Sequence, residues 1–405
     1  MQRKNELKKI TNLRFLVAEK EAFHRHWLVT MLETLGARHV IEAADGNAAL
    51  ALLKDPKNSI DIMLMEIDLP GMDGLELIRH IAKDDDNCAV IVVSGLDQAL
   101  LFSVDTMSKA YGIELLGTLQ KPVAPESLLP MIERFCINES QSKTYSTLPP
   151  ITLVDLQTGL ANDEFLPLFQ PKIDLATRQV VGVEAFARWA HPSAGLLSPG
   201  TFIPLLEAER AMTQLTWIII EKSVAACRDW KTQGFSLTVS VNISPSVLRQ
   251  SGLAEEIINY LHEHDLPPGA LIFEVTEAAT VVDGPYLLEN LNRLRMHGFG
   301  VSVDDYGTGG SSMQQLMRIP FSEMKIDRTF VSGASQNHAL ELVLSSSLAL
   351  CHRLERRSVA VGVETRKDLD FLVKLGCTFA QGFYIAKPME GSALPIWMRE
   401  WALFF

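Results

Sequence analysis

The feature that most constrains this chain is one short pattern, repeated. A run rich in Val, Ile and Leu ends in a polar or charged residue, and a helical stretch follows. The run 179–183 ends in Glu184, with Arg188 four residues on. The run 237–241 ends in Asn242, and 271–273 in Glu274 with Glu277 just beyond. The run 301–303 ends in Asp304 and Asp305, and Glu323-Met324 leads to Lys325. The run 359–363 ends in Glu364, and Phe379-Ala380 in Gln381. Strand-then-helix units of this length predict parallel strands joined by helical crossovers. So many units within about 250 residues predict a closed, TIM-like (β/α)8 barrel, whose chemistry gathers at the C-terminal ends of its strands. One acidic strand end is an ordinary loop facing solvent. A series of them predicts a single convergent acidic site.

The first part of the chain, 1–138, reads differently. Strands at 13–18, 39–41, 60–65, 89–93 and 115–119 alternate with helical stretches such as 22–35 and 46–53. That order predicts a flavodoxin-like, doubly wound α/β sheet. The stretch 139–150 is polar, lacks periodicity and ends in Pro149-Pro150, so it reads as an exposed linker. The second domain, 151–405, opens with an entry helix at 153–161 and a first strand at 165–172.

Composition sets outer limits. A net charge of −12 argues against wholesale nucleic-acid binding. The five cysteines are scattered without a CxxC, which predicts reduced thiols and a cytoplasmic location. No apolar run reaches the roughly 18 residues of a membrane span. The charged start, Met1 to Glu6, does not read as a signal peptide.

The turn Leu69-Pro70-Gly71-Met72-Asp73-Gly74, the strand end Ser94 and the pair Lys121-Pro122 carry a resemblance. Residues 1–138 resemble the receiver domain of bacterial two-component response regulators. The resemblance implies a phosphoacceptor Asp four residues before Pro70, and here that position is Glu66. It also implies an acidic pair after the first strand that holds Mg²⁺. Here the pair is Glu19-Lys20, and an ammonium there competes with the metal for the same carboxylates. Three readings stay open: Glu66 mimics a phosphorylated Asp, Glu66 is a structural ion pair with Lys20 or Lys121, or Asp68 is an off-register acceptor. The expectation is a pseudo-receiver, a dimerisation or docking module rather than a phosphorylation switch. Its partner would be a sensor kinase or another signalling protein, in a homodimer or larger assembly.

The second domain carries a longer series. Glu184-Ala185-Phe186, Phe169-Gln170-Pro171, Val241-Asn242-Ile243-Ser244-Pro245 and Phe273-Glu274-Val275-Thr276-Glu277 are its first members. Asp304-Asp305-Tyr306-Gly307, Lys325-Ile326-Asp327, Gly362-Val363-Glu364-Thr365 and Gln381-Gly382-Phe383 complete it. In this order they resemble the EAL domain, a phosphodiesterase family that hydrolyses cyclic di-GMP to the linear dinucleotide. The resemblance implies one or two Mg²⁺ or Mn²⁺ ions, which take oxygen ligands. It assigns Glu184, Asn242, Glu274 and Asp304 to one ion, and Asp304 with Asp305 to a second. Lys325 would orient the attacking water, and Gln170, Arg188 and Gln381 would contact the ligand. Glu277 would brace the loop after Asp305, in which Gly310 replaces the family's Tyr.

The departure is Val361. Where the family reads Glu-Gly-Val-Glu, this chain reads Val361-Gly362-Val363-Glu364. Strict strand alternation also allows Val361 as plain packing against a helix. The resemblance makes it the site of a missing metal-side Glu or general base. The expectation is cyclic di-GMP binding with slow or absent hydrolysis. The alternatives are an active phosphodiesterase, with Glu364 standing in, and a ligand-independent scaffold that docks partners.

Overall fold

The structure is a computed structural model that describes residues 10–84, 88–95, 104, 107–108, 111–146, 151–281, 285–309 and 312–403. Gly310 lies outside the described residues. The chain forms two compact units, 1–149 and 150–405.

In the first unit the strands are β1 (Arg14–Ala18), β2 (His39–Ala43), β3 (Ile62–Met65), β4 (Ala89–Ser94) and β5 (Leu115–Gln120). They pair in parallel in the order β2-β1-β3-β4-β5. β3 and β4 are buried along their whole length, as strands covered by helices on both faces must be. Strand order reverses between β1 and β3, so the crevice outside their C-terminal ends is where a doubly wound sheet presents its site. Glu19 and Glu66 stand there. The turn after β3 closes tightly. Gly74 donates its N–H to the Ile67 carbonyl at 2.8 Å, and a Cβ on Gly74 would meet the Glu66 carbonyl oxygen at 2.8 Å.

The helix Pro125–Ser146 runs through much of the stretch read as an irregular linker. Glu, Ser, Gln and Lys carry no apolar stripe, yet they continue a helix that has already nucleated.

The second unit begins with the helix Leu153–Ala161, closed by a capping box between Thr152 and Asp155. Its strands are β6 (Phe165–Asp174), β7 (Val180–His191), β8 (Gly195–Leu197), β9 (Thr238–Asn242) and β10 (Leu271–Thr276). They continue as β11 (Gly300–Tyr306), β12 (Glu323–Ile326), β13 (Arg357–Val361) and β14 (Phe379–Gln381). The sheet runs β6-β14-β13-β12-β11-β10-β9-β7 and closes through a β6–β7 pairing, which makes an eight-stranded barrel with β8 as an appendage.

Three details depart from the sequence expectation. First, β6 is antiparallel to both its neighbours. The connection to β7 is too short for a helical crossover. Asp174 turns the chain instead, its carboxylate accepting from the Ala176 and Thr177 N–H groups at 2.9 and 2.8 Å. Second, Glu184 lies inside β7 rather than at its end, because β7 continues past the barrel as an arm paired with β6 and β8. Its parallel ladder with β9 covers only Gly182 to Ala185, so Glu184 still stands at the rim. Third, β13 stops at Val361 instead of running to Val363. Gly362 adopts a φ of +77°, and a Cβ there would meet the Cβ of Arg328 at 2.3 Å.

The arm and the barrel share one core. Trp189 is fully buried, stacks on Phe165 at 5.0 Å and donates its indole N–H to Glu164 at 2.9 Å. Each such burial stabilises by roughly 1.5–3 kcal/mol. That holds β6 and β7, and with them Gln170 and Glu184, at a fixed spacing.

Candidate active site

Seven strands deliver the centre of the barrel mouth. Gln170 of β6 is in register with Glu184 of β7, so both side chains leave the sheet on one face. Lys325 of β12 is buried and reaches three carboxylates: Glu184 at 2.8 Å, Glu274 at 2.5 Å and Asp304 at 3.1 Å. The other oxygen of Glu184 accepts from the Asn242 amide at 3.1 Å. Gln381 donates to Glu184 at 2.9 Å and to Gln170 at 3.0 Å, and Gln170 donates to the Ala386 carbonyl at 2.9 Å.

Charge in this cluster does not balance. Burial alone would raise Glu184, but Lys325 and the Gln381 and Asn242 amides hold it below the ordinary carboxylate range. Burial and the neighbouring Glu184 push Glu274 well above that range, and burial likewise raises Asp304. Burial works against the charge on Lys325, yet the three carboxylates hold its ammonium well above its usual value. One ammonium against three acids, Glu184 and Glu274 buried and Asp304 half-buried, leaves excess negative charge, which a proton or a divalent cation must relieve. Ligand atoms of Glu184, Glu274 and Asp304 lie within 4.8 Å of one another. All-oxygen donors at that spacing fit a hard divalent ion.

Asp305 completes the rim. β11 bulges against β12 between Val303 and Tyr306, and Asp305 adopts a left-handed φ of +55°. The bulge keeps two successive aspartates near the same mouth, where alternation would send them to opposite faces. Partial burial, then Asp304 and Asp327, push Asp305 up to about 6. Glu277 is buried and accepts from the Gly307 N–H at 2.7 Å and the Gly309 N–H at 3.3 Å, tying down the loop that follows. Arg188 bonds the Ala187 carbonyl at 2.8 Å and lies 5.8 Å from the Phe186 ring.

The EAL domain family matches 153–388, and the response regulator receiver domain family matches 15–133. The chain belongs to the EAL domain family, with a receiver domain ahead of it. The cyclic di-GMP phosphodiesterase RocR of Pseudomonas aeruginosa is 34% identical over 381 residues, covering 94% of this chain and 97% of that protein. The barrel is also similar to the phosphodiesterase MucR solved as a c-di-GMP complex. That match has 36% identity and a TM-score of 0.56, over 60% of this chain and 98% of that one. A third likeness is the EAL enzyme Bd1971 in its cAMP- and cyclic-di-GMP-bound form, with 28% identity and a TM-score of 0.54 over 69% of this chain and 74% of that one.

In this EAL domain, Val361 is in register with Gln381 at the end of the β13–β14 ladder. Paired residues in a ladder share a face, so Val361 shares the face of Gln381, which bonds Glu184, and does not pack outward against a helix. Glu364 lies beyond the Gly362 turn and is exposed.

A buried ion pair was not foreseen from the sequence. Lys172 bonds both oxygens of Glu323, at 2.7 and 2.9 Å. Lys172 lies two residues from Gln170 on β6, and Glu323 two residues from Lys325 on β12, so the pair spans the barrel one layer below the mouth. The period-2 spacing from Gln170 and Lys325 was the available signal.

In the receiver domain, Lys121 bridges Glu19 at 2.7 Å and Glu66 at 2.9 Å. Burial and Glu19 raise Glu66. Burial would raise Glu19 too, but hydrogen bonds to Glu66, Lys121 and the Glu21 N–H lower it. Lys20 pairs with Asp68. Ser94 is buried, and its carbonyl accepts from the Lys121 N–H at 3.1 Å.

Among the described residues no helix is long and apolar enough to cross a membrane. All five cysteines are buried and unpaired with one another.

Proposed function

We propose that this protein is a cyclic di-GMP signalling protein whose EAL domain binds the dinucleotide with a divalent metal but cleaves it slowly or not at all. Glu184, Asn242, Glu274 and Asp304, with Asp305 at the rim, are the residues that would hold Mg²⁺ or Mn²⁺. When bound, such ions supply charge neutralisation for the phosphodiester and acidity for a water. The chain's own residues do the rest. Lys325 orients the water and offsets developing charge. Arg188 grips a phosphate through its fork, and Gln170 and Gln381 line the ligand. Glu277 keeps the loop beside Asp305 in place.

One observation carries the reading. The first ion's oxygen donors are gathered around Lys325, while position 361, facing the same mouth, is a valine. Valine can neither accept a proton nor hold a water. Glu364, exposed past the Gly362 turn, is a poor substitute.

The test is calorimetric titration of the purified protein with cyclic di-GMP in Mg²⁺ or Mn²⁺, alongside chromatography for the linear product. Binding with little product is expected. Rapid turnover would favour the second reading, an active phosphodiesterase, which the resemblance to RocR over nearly the whole chain supports. Absence of binding would leave only a docking scaffold.

For the receiver domain, 1–138, the reading is a module that takes no phosphoryl group, because Glu66 is engaged by Lys121 and Lys20 by Asp68. It serves dimerisation or a signalling partner in the cytoplasm.

A further inference from the structure

Below the mouth the barrel carries a second tier of residues. Above, Lys325 of β12 and Gln381 of β14 bond Glu184, and Gln381 also bonds Gln170 of β6. Two residues down those strands, on the same face, stand Glu323, Phe379 and Lys172. Lys172 donates to both oxygens of Glu323, and its ammonium lies 5.6 Å from the centre of the Phe379 ring. β6 and β12 are not neighbours in the sheet, since β14 and β13 lie between them. The bond therefore crosses the barrel interior, and its members are about as buried as Lys325 and Glu184 above them.

Stability does not explain such a pair. Taking two charges out of water costs about what their attraction returns, so apolar residues of the same volume commonly hold a core as well. Interiors of barrels of this kind are filled mainly by branched apolar side chains. What the pair achieves is a separation of charges. Lys172 is a diagonal neighbour of Glu184 across the β6–β7 ladder, about 7–8 Å away and within reach of a long side chain. Glu323 stands about 7 Å from Lys325 along one face of β12. Released from each other, Lys172 would turn to Glu184, and Glu323 to Lys325.

Either change would alter the affinity for a cation. A second ammonium on Glu184 competes with a divalent ion for that carboxylate. A fourth carboxylate for Lys325 frees the three acids of the mouth. We propose that Lys172 and Glu323 are positioning residues: by holding each other they leave Glu184, Glu274 and Asp304 to share Lys325, and so set how tightly the mouth takes a divalent cation. This role rests on the reading of the mouth as a metal site. A pair that only filled space would weaken the site whichever member were lost. A pair that keeps charges apart has members whose loss acts in opposite directions.

The full-length protein, free of dinucleotide, is titrated with Mn²⁺ in a calorimeter, and the heat that survives in E184Q is subtracted. In E323Q the unpaired ammonium should weaken Mn²⁺ binding about tenfold, the scale of one charge about 7 Å from a divalent ion in a partly screened site. K172M should bind at least as tightly as wild type. K172M/E323Q, which leaves no charge in the tier, should bind within about threefold of wild type. A loss in K172M, no loss in E323Q, or a larger loss in the double variant overturns the proposal and leaves the pair as packing. A wild type that takes up no Mn²⁺ removes the metal reading itself, and this role with it. Thermal melts show whether each variant is folded. If E323Q is not, E323D takes its place: it withdraws the carboxylate by one methylene, and a fall of about threefold is expected. No fall in E323D overturns the proposal. If K172M does not fold, K172Q replaces it under the same criterion.

Discussion

The two domains solve the same electrostatic problem to different depths. In the receiver domain one lysine, Lys121, bridges two carboxylates, Glu19 and Glu66. In the barrel one lysine, Lys325, meets three, Glu184, Glu274 and Asp304, with Asp305 close by. The first cluster carries one excess negative charge, and a carboxyl proton shared across the coupled pair can relieve it. The second carries at least two and forces Glu274 far from its ordinary range. A site that calls for a divalent cation is distinguished from a structural ion pair by this excess, and not by the presence of acids. Lysine content alone says little, since both sites have one.

The largest expected effect tests the barrel side of this contrast. Val361→Glu supplies the carboxylate that the mouth lacks. Turnover of cyclic di-GMP should rise by about 10²-fold or more, the usual scale for a positioned general base, with affinity nearly unchanged. A variant as slow as wild type would place the defect elsewhere.

Next is the receiver pair. Lys121→Met leaves Glu19 and Glu66 buried without a cation, which should cost on the order of 3 kcal/mol in the urea unfolding of this domain. A loss below about 1 kcal/mol would show that water already screens the pair.

Metal addition should separate the two sites. Saturating Mg²⁺ or Mn²⁺ at about 100 times its dissociation constant stabilises the fold that binds it by about 2.7 kcal/mol. The barrel's melting transition should rise, and the rise should vanish in Glu184→Gln. The receiver transition should not move. A shift in the receiver transition alone would reverse the contrast drawn above.

The smallest effect is in pH. Asp305 is held at about 6 in the fold, above its unfolded value near 3.8. Between those values the native state keeps a proton that the unfolded chain has released, so this group's contribution to stability falls as pH rises from about 4 to about 6. In EDTA, Asp305→Asn should therefore gain melting temperature relative to wild type at pH 7, and gain least at pH 5. Parallel curves would refute the assignment.

Much of the site was legible because its residues are tied to strand ends. Glu274, Asp304, Lys325 and Gln381 follow directly from apolar runs, and register does the rest. Residues whose meaning depends on a reversal were harder to read. The antiparallel turn at Asp174, the extension of β7 past Glu184 and the early stop of β13 at Gly362 all depend on which strand lies alongside. Local composition does not encode that. The Lys172–Glu323 pair was missed for the same reason, since its members are distant in sequence and join only across the closed barrel.

What the sequence settled by itself was the alternation of strand and helix, the two sheet types and the oxygen donors at the strand ends. Those follow from side-chain periodicity, a property of neighbours along the chain. Only the tertiary structure decided which acids share a lysine, and that Val361 shares the face of Gln381 while Glu364 lies exposed beyond the Gly362 turn. Burial and charge balance are set by groups brought together through space, and no local pattern specifies their sum.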